Sequence, residues 1–241
     1  MKTRLDQLVV DRKLAPSRER ARALVLAGQV AVDGRPVTKA GAQVSTDAEV
    51  ALIAPDHPYV GRGGVKLAHA LDAFGIPVAG REALDIGAST GGFTDVLLRR
   101  GARRVVALDV GHGQIDWTLR HDPRVVVIEK FNARHLTPRD LPGPVDLVAI
   151  DVSFISLRQI LPVLPPVLQP GADLVALVKP QFEAGRAEAR KGVVRDPAVH
   201  ARVLEEVRAA AREVGLTPVS SVPSPLLGPK GNQEFLLHLQ A

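Results

Sequence analysis

Cysteine is absent from this chain of 241 residues. Disulfides, thiolate zinc sites and Cys nucleophiles are thereby excluded. The seven histidines are scattered and never form a His-Glu-x-x-His pattern, so the sequence offers no metal site. Aromatic residues make up only 3% of the chain, too few for the broad stacking platform of a single-strand binder. No apolar run approaches the roughly 18–20 residues that span a bilayer. The opening Met1-Lys2-Thr3-Arg4-Leu5-Asp6 lacks the apolar core of a signal peptide. These absences predict a cytoplasmic protein with no membrane and no metal partner.

What is present is a globular composition, 46% hydrophobic and 24% charged, with a net charge of +5. A basic balance favours a polyanionic partner, either nucleic acid or an anionic membrane. The charge is uneven. Residues 1–55 hold nine Lys and Arg against six acids, so over half of the surplus sits in under a quarter of the chain. In that stretch Leu5, Leu8 and Val9 recur at helical spacing, and Ala15-Pro16-Ser17 breaks the helix. Ser17 suits the N-cap of a second helix with the buried stripe Ala21, Leu24 and Val25, which Gly28 ends. Val30 and Val32 then alternate into Asp33-Gly34, a hairpin signal, and Val37, Val44, Val50 and Leu52 supply later short strands. Arg18 and Arg22, four apart, share one helix face; it reads as a basic footprint for phosphates or as an ordinary solvated face.

The stretch RLDQLVVDRKLAPSRERARALVLAGQVAVDGRPV resembles the S4 RNA-binding domain in its order of helix, break, basic helix, glycine and hairpin. The resemblance implies RNA binding, with Arg4, Arg18, Arg20 and Lys39 on phosphates. Ala54-Pro55-Asp56-His57-Pro58 reads as a linker. The expected division is 1–55 for the small α+β unit, 56–62 for the linker and 63–241 for the main domain.

Beyond the linker, apolar runs at Ala83–Ile86, Val105–Leu108, Val125–Ile128, Leu147–Ile150 and Leu174–Val178 read as buried strands, several of them separated by helical patterns. This rhythm predicts an α/β fold, a Rossmann-like parallel sheet with helices on both faces. Segments around Val219 and Phe235–Leu239 suggest a closing antiparallel pair.

Residues 83–95, Ala-Leu-Asp-Ile-Gly-Ala-Ser-Thr-Gly-Gly-Phe-Thr-Asp, run from a strand through a Gly-rich turn into a helix, the usual ligand position in a doubly wound sheet. The spacing is neither Gly-x-Gly-x-x-Gly nor a P-loop, for which Gly-Lys-Ser/Thr is missing. Asp109 ends the next strand, where a carboxylate can accept both hydroxyls of a ribose. It fits a nicotinamide dinucleotide, S-adenosylmethionine, or simply a surface or capping acid.

Residues 59–239 resemble the TlyA (hemolysin-A-like) branch of the FtsJ-type methyltransferases. The blocks are GRGGVKL, LDIGASTGGFTDVLL, DVGHGQIDWTLRHDPRV, NARHL, DVSFISL, LVKPQFE and GNQEFL, in the family's order. The resemblance implies S-adenosylmethionine bound at Asp85, Gly87, Ser89, Gly91, Gly92 and Phe93. Its ribose is expected at Asp109 and its adenine near Asn132 and Ala133.

Asp151 and Lys179 each follow an apolar strand, on the ligand edge of the sheet, and a lysine there is costly unless paired or employed. Lys66 and Glu234 lie in GGVKL and GNQEF. Only the resemblance assembles the four, as the family's Lys-Asp-Lys-Glu tetrad. Transfer from a sulfonium needs the acceptor hydroxyl positioned and its proton removed. A desolvated lysine near another cation can serve as base. The tetrad then implies Lys179 as base oriented by Asp151, and Lys66 steadying the alkoxide and held by Glu234, with the two lysines' roles open to exchange.

Phe154 suits a stacking partner for a flipped base or a core aromatic, and Trp117 an adenine neighbour or a core residue. Tyr59 and Arg62, beside the linker, are candidates for coupling RNA docking to the site, Arg62 as an RNA contact. The resemblance implies ribosomal RNA as partner and a cytidine 2′-hydroxyl as acceptor. The short stretches before Leu5 and after Leu239 resemble the branch restricted to the large subunit, with the small subunit a further possible target. A membrane-lysing protein, as the hemolysin name suggests, and an RNA binder without catalysis are the alternatives.

Overall fold

A computed structural model describes residues 2–26, 28–53, 57–185 and 187–241. Ala54, Pro55 and Asp56 of the expected linker lie outside the described residues. The chain divides into two compact units, Met1–Pro58 and Tyr59–Ala241.

The first unit runs β1 (Lys2–Arg4), α1 (Leu5–Asp11), α2 (Arg18–Leu26), β2 (Val30–Val32), β3 (Arg35–Val37), β4 (Gln43–Ser45) and β5 (Val50–Leu52). Ser17 Oγ accepts the Arg20 amide at 3.2 Å and so caps α2. Gly28 takes φ +66 after α2, and its amide donates to the Val25 carbonyl. Asp33 and Gly34, both at positive φ, turn the β2–β3 hairpin, and β5 pairs on the other side of β2. Leu5, Val9, Ala21, Val25 and Val30 form the small core, all at 0% exposure.

The second unit opens with α3 (Gly63–Phe74) and β6 (Glu82–Ile86), then α4 (Gly92–Arg99), β7 (Arg104–Leu108), α5 (Trp117–Arg120), β8 (Val125–Ile128) and β9 (Val145–Ile150). It closes with β10 (Leu168–Val178), α6 (Pro180–Glu183), α7 (Pro197–Glu213), β11 (Thr217–Pro223) and β12 (Phe235–Gln240). One seven-stranded sheet runs β11-β12-β10-β9-β6-β7-β8. Strands β6 to β10 are parallel, and β12 slots antiparallel between β10 and β11.

Alternate residues of each strand point to opposite faces, which builds two cores. Leu84, Ile86, Val148 and Ile150 face α7 through Val203 and Val207. Ala83, Val105, Leu147 and Ala149 face α3 and α4 through Leu67, Leu71, Val96 and Leu97. The β9–β10 crossover carries three 3₁₀ turns, Leu157–Gln159, Leu161–Val163 and Pro165–Val167. Pro162, Pro165 and Pro166 lack the amide an α-helix needs and clash with its preceding turn.

Candidate active site

The carboxyl ends of β6, β7 and β9 leave a hollow of about 670 Å³, within the usual range for small-molecule sites. Gly87 and Ser89 border it on one side, Asp109 and Gln114 on another, and Asn132 and Ala133 on a third. Gly87 has φ +87, and a Cβ there would lie 2.3 Å from the Asp151 carbonyl oxygen, so only glycine lets the turn close onto β9's continuation. Asp109 Oδ2 accepts the Ser89 amide at 2.8 Å and Oδ1 the Gly111 amide at 2.6 Å. These bonds fix the carboxylate and leave further lone pairs for a ligand hydroxyl. Asn132 Oδ1 caps the following 3₁₀ turn by accepting the Arg134 amide at 3.1 Å. A smaller hollow of about 130 Å³ adjoins, bordered by Gly63, Gly92 and Phe93, and Asp151 borders both.

Two expected cofactor contacts do not reach either hollow. Asp85 is fully buried and points under α4, where Oδ2 accepts the Thr94 amide at 2.9 Å and hydroxyl at 2.7 Å. Burial pushes its carboxyl up to about 7, against the pull of Thr94 and with help from the charge of Asp151. Strand alternation explains the displacement, since Asp85 shares its face with Ala83. Gly91, at φ +94, turns toward Leu119 and Ile115. Trp117 is neither core nor hollow: it is 70% exposed, with its ring 4.3 Å from that of His121 and tilted 34° to it.

Sequence reasoning missed Ser153, Gln114, Arg134 and Gln159 at the wall of the larger hollow. Of these, Gln114, Arg134 and Ser153 carried a signal, lying inside the DVGHGQIDWTLRHDPRV, NARHL and DVSFISL blocks.

The four tetrad residues come to one edge as two ion pairs. Lys179 Nζ lies 2.5 Å from Asp151 Oδ1 and donates to Ser153 Oγ at 2.9 Å. Lys66 Nζ lies 2.5 Å from Glu234 Oε2. Lys179 is 8% exposed and Glu234 0%, so neither charge is a solvated surface group. Val178 pairs with Phe235, which puts Lys179 and Glu234 next to one another across the β10–β12 ladder. Gln181 Nε2 donates to Glu234 Oε1 at 3.4 Å. The first turn of α3 abuts Asp151: a Cβ on Gly63 would lie 3.9 Å from its Oδ2, and Lys66 is one turn further on the same face. Gly228 presses on Glu234 so closely that a Cβ would meet its Oε1.

Phe154 is no core residue. It is 91% exposed, sits at φ +64, borders the larger hollow, and lies 5.1 Å from the ring of Phe182. Arg62 is exposed, and its guanidinium reaches the Leu227 carbonyl at 3.5 Å. The Tyr59 ring packs against Gly64. In the first unit Arg4 bonds Asp6 at 2.8 and 3.0 Å, with Arg18 3.5 Å from the same carboxylate. Arg20 donates to the His57 carbonyl at 2.7 Å, and Lys39 is exposed.

A glycine turn after the first parallel strand, an acid ending the second and an antiparallel strand next to the far edge define a Rossmann-like methyltransferase domain. The FtsJ-like methyltransferase family model matches residues 59–241 and the S4 domain model residues 3–50. The 16S/23S rRNA (cytidine-2'-O)-methyltransferase TlyA of Mycobacterium tuberculosis is 51% identical, across 99% of this chain and 90% of that one. Hemolysin A of Brachyspira hyodysenteriae is 41% identical across 98% of both. A solved structure from Streptococcus thermophilus, described provisionally as a hemolysin, aligns with a TM-score of 0.79 and 45% identity over 99% of this chain and 88% of that one. This chain belongs to the FtsJ-like methyltransferases, in their TlyA branch. Among the described residues no helix is long and apolar enough to cross a membrane, and no group of three or more His, Cys, Asp or Glu is arranged to hold a metal.

Proposed function

We propose that this protein methylates the ribose 2′-hydroxyl of a cytidine in ribosomal RNA, in the cytoplasm, using S-adenosylmethionine. One observation carries the reading: Asp151, the ion-pair partner of the buried Lys179, borders the same hollow that Asp109 and the glycine turn border. The hollow suits the cofactor on its chemistry. Asp109 offers acceptors for ribose hydroxyls, Gly87 and Ser89 a close backbone approach, and Asn132 with Ala133 a flat flank for a purine.

Bound there, S-adenosylmethionine supplies an electrophilic methyl group on sulfur. The remaining work falls to the chain. Lys179, as the neutral amine, takes the hydroxyl proton on the one lone pair of Nζ, whose direction Asp151 and Ser153 fix. Lys66 offsets charge growing on the oxygen and is anchored by Glu234. Phe154 offers an exposed face to a base rotated out of its stack. Arg4, Arg18, Arg20, Lys39 and Arg62 contact phosphates, adding affinity without sequence choice.

The test is incorporation of labelled methyl groups into separated ribosomal subunits, followed by mapping of the modified ribose. Wild-type protein should label a cytidine 2′-oxygen, and Lys179→Ala should bind cofactor yet label nothing. Full turnover by Lys179→Ala would refute the role given to that lysine.

A further inference from the structure

Two short segments meet rung by rung beside the hollow. Residues 151–157 continue β9, and residues 179–183 continue β10 into α6. Lys179 bonds Asp151 and Ser153 on the first rung. On the second, Phe182 and Phe154 lie ring to ring at 5.1 Å. On the third, Glu183 accepts the Ser156 hydroxyl at 2.5 Å and the Leu157 amide at 2.7 Å. Arg158 closes the end by donating to the Glu183 carbonyl at 3.2 Å.

The third rung has no chemistry of its own. Glu183 is 6% exposed and borders neither hollow. Burying a carboxylate is costly, and burial pushes this one upward against the pull of Ser156 and Leu157. Its Oε2 lies 3.7 Å from Arg158 Nε. Packing alone asks only for an apolar side chain at that place. The neighbouring rung supplies the need for a fixed anchor. Phe154 combines 91% exposure with φ +64, and a bulky residue in the left-handed region persists only where its flanks over-determine it. Asp151 and Ser153 hold one flank through Lys179, and Ser156 and Leu157 hold the other through Glu183.

We infer that Glu183 is a positioning residue for methyl transfer: its two hydrogen bonds lock residues 151–157 onto residues 179–183, setting Lys179, Asp151 and Phe154 in mutual register. The inference rests on the function proposed above and deepens it. It commits to geometry rather than charge at position 183. Gln can accept from the Leu157 amide through Oε1, and its Nε2 can donate to Ser156 Oγ, which reverses that bond and displaces one of the two Arg158 donors the oxygen accepts at 3.2 Å, so Glu183→Gln still links the two segments.

The experiment compares full-length wild type, Glu183→Ala, Glu183→Gln and Ser156→Ala in methyl transfer to ribosomal RNA, alongside calorimetric binding of S-adenosylhomocysteine. For Glu183→Ala, kcat should fall about 10- to 100-fold while the cofactor-product Kd stays within about twofold. Glu183→Gln should return to within about threefold of wild type, and Ser156→Ala should lie between. A merely structural glutamate would not separate kcat from cofactor binding, nor be rescued by its amide. Wild-type kcat in a folded Glu183→Ala protein overturns the inference and leaves the methyltransferase reading standing. Equal damage from Gln and Ala also overturns it. Should Glu183→Ala fail to fold, Ser156→Ala decides, and unchanged kcat there overturns it. Wild-type protein that transfers no methyl group sinks the underlying function, and this inference with it.

Discussion

Lys66 Nζ stands 2.5 Å from Glu234 Oε2 although 168 positions of chain separate the two residues. The glutamate is wholly buried and the lysine side chain 12% exposed. Removing one partner of such a pair strands the other charge at a cost of about 3–5 kcal/mol, whereas replacing both by apolar groups is often tolerated. Lys66→Ala is therefore expected to lower the unfolding free energy by about 3 kcal/mol in urea titrations. Lys66→Met combined with Glu234→Leu should regain most of that stability and none of the methyl transfer. Transfer by the double variant would assign the pair to the fold alone.

The glycine turn makes a second prediction. Gly87→Ala must leave the left-handed region or push the Asp151 carbonyl away, since its Cβ would lie 2.3 Å from that oxygen. A left-handed conformation costs a non-glycine residue about 1–2 kcal/mol before any clash, so the Kd for S-adenosylhomocysteine should rise about tenfold or more. Gly75→Ala is the control. It also sits at positive φ, +66, with nothing within 4 Å of its Cβ, and should lower stability without weakening cofactor binding.

Asp85 predicts a pH dependence. Its folded-state pKa, about 7, lies above the ordinary 3.8, so the folded chain holds a proton that the unfolded chain has released. Stability tied to this group is full below the ordinary value and declines as pH rises through about 7. Asp85→Asn keeps an acceptor for both Thr94 donors and cannot ionise. Thermal melts from pH 5 to 8 should show a flatter Tm profile in the variant. Parallel profiles would place the titration elsewhere.

In the small unit, Lys39 and Arg4 should behave differently. Lys39 is exposed and makes no ion pair among the described residues. Lys39→Ala should reduce the slope of log K against log salt for RNA binding by about 1, with stability within about 0.5 kcal/mol. Arg4 also serves Asp6, which is 2% exposed and would keep Arg18 at 3.5 Å and the Gln7 amide. Arg4→Ala should therefore lose both RNA affinity and thermal stability. Equal melting temperatures for the two variants would refute the Asp6 argument.

The strands were legible because parallel strands buried on both faces leave unbroken apolar runs, as at Val105–Leu108 and Leu174–Val178. Turns were legible where only one chemistry fits, as at Asp33-Gly34. The tetrad was not, because Lys66 and Glu234 meet through tertiary packing that no local spacing encodes. Asp85 abuts the glycine turn in sequence, while strand alternation sends its side chain beneath α4. Glu183 lay inside the LVKPQFE block, but its pairing was not legible, since its partner Ser156 lies 27 positions away on the continuation of a different strand.

Strand β12 occupies the slot between β10 and β11. No residue of β12 lines the larger hollow, whereas Glu234, which leads into that strand, gives Lys66 its carboxylate and Gln181 its acceptor. The border of the hollow and the anchoring of Lys66 thus rest on different strands of one sheet.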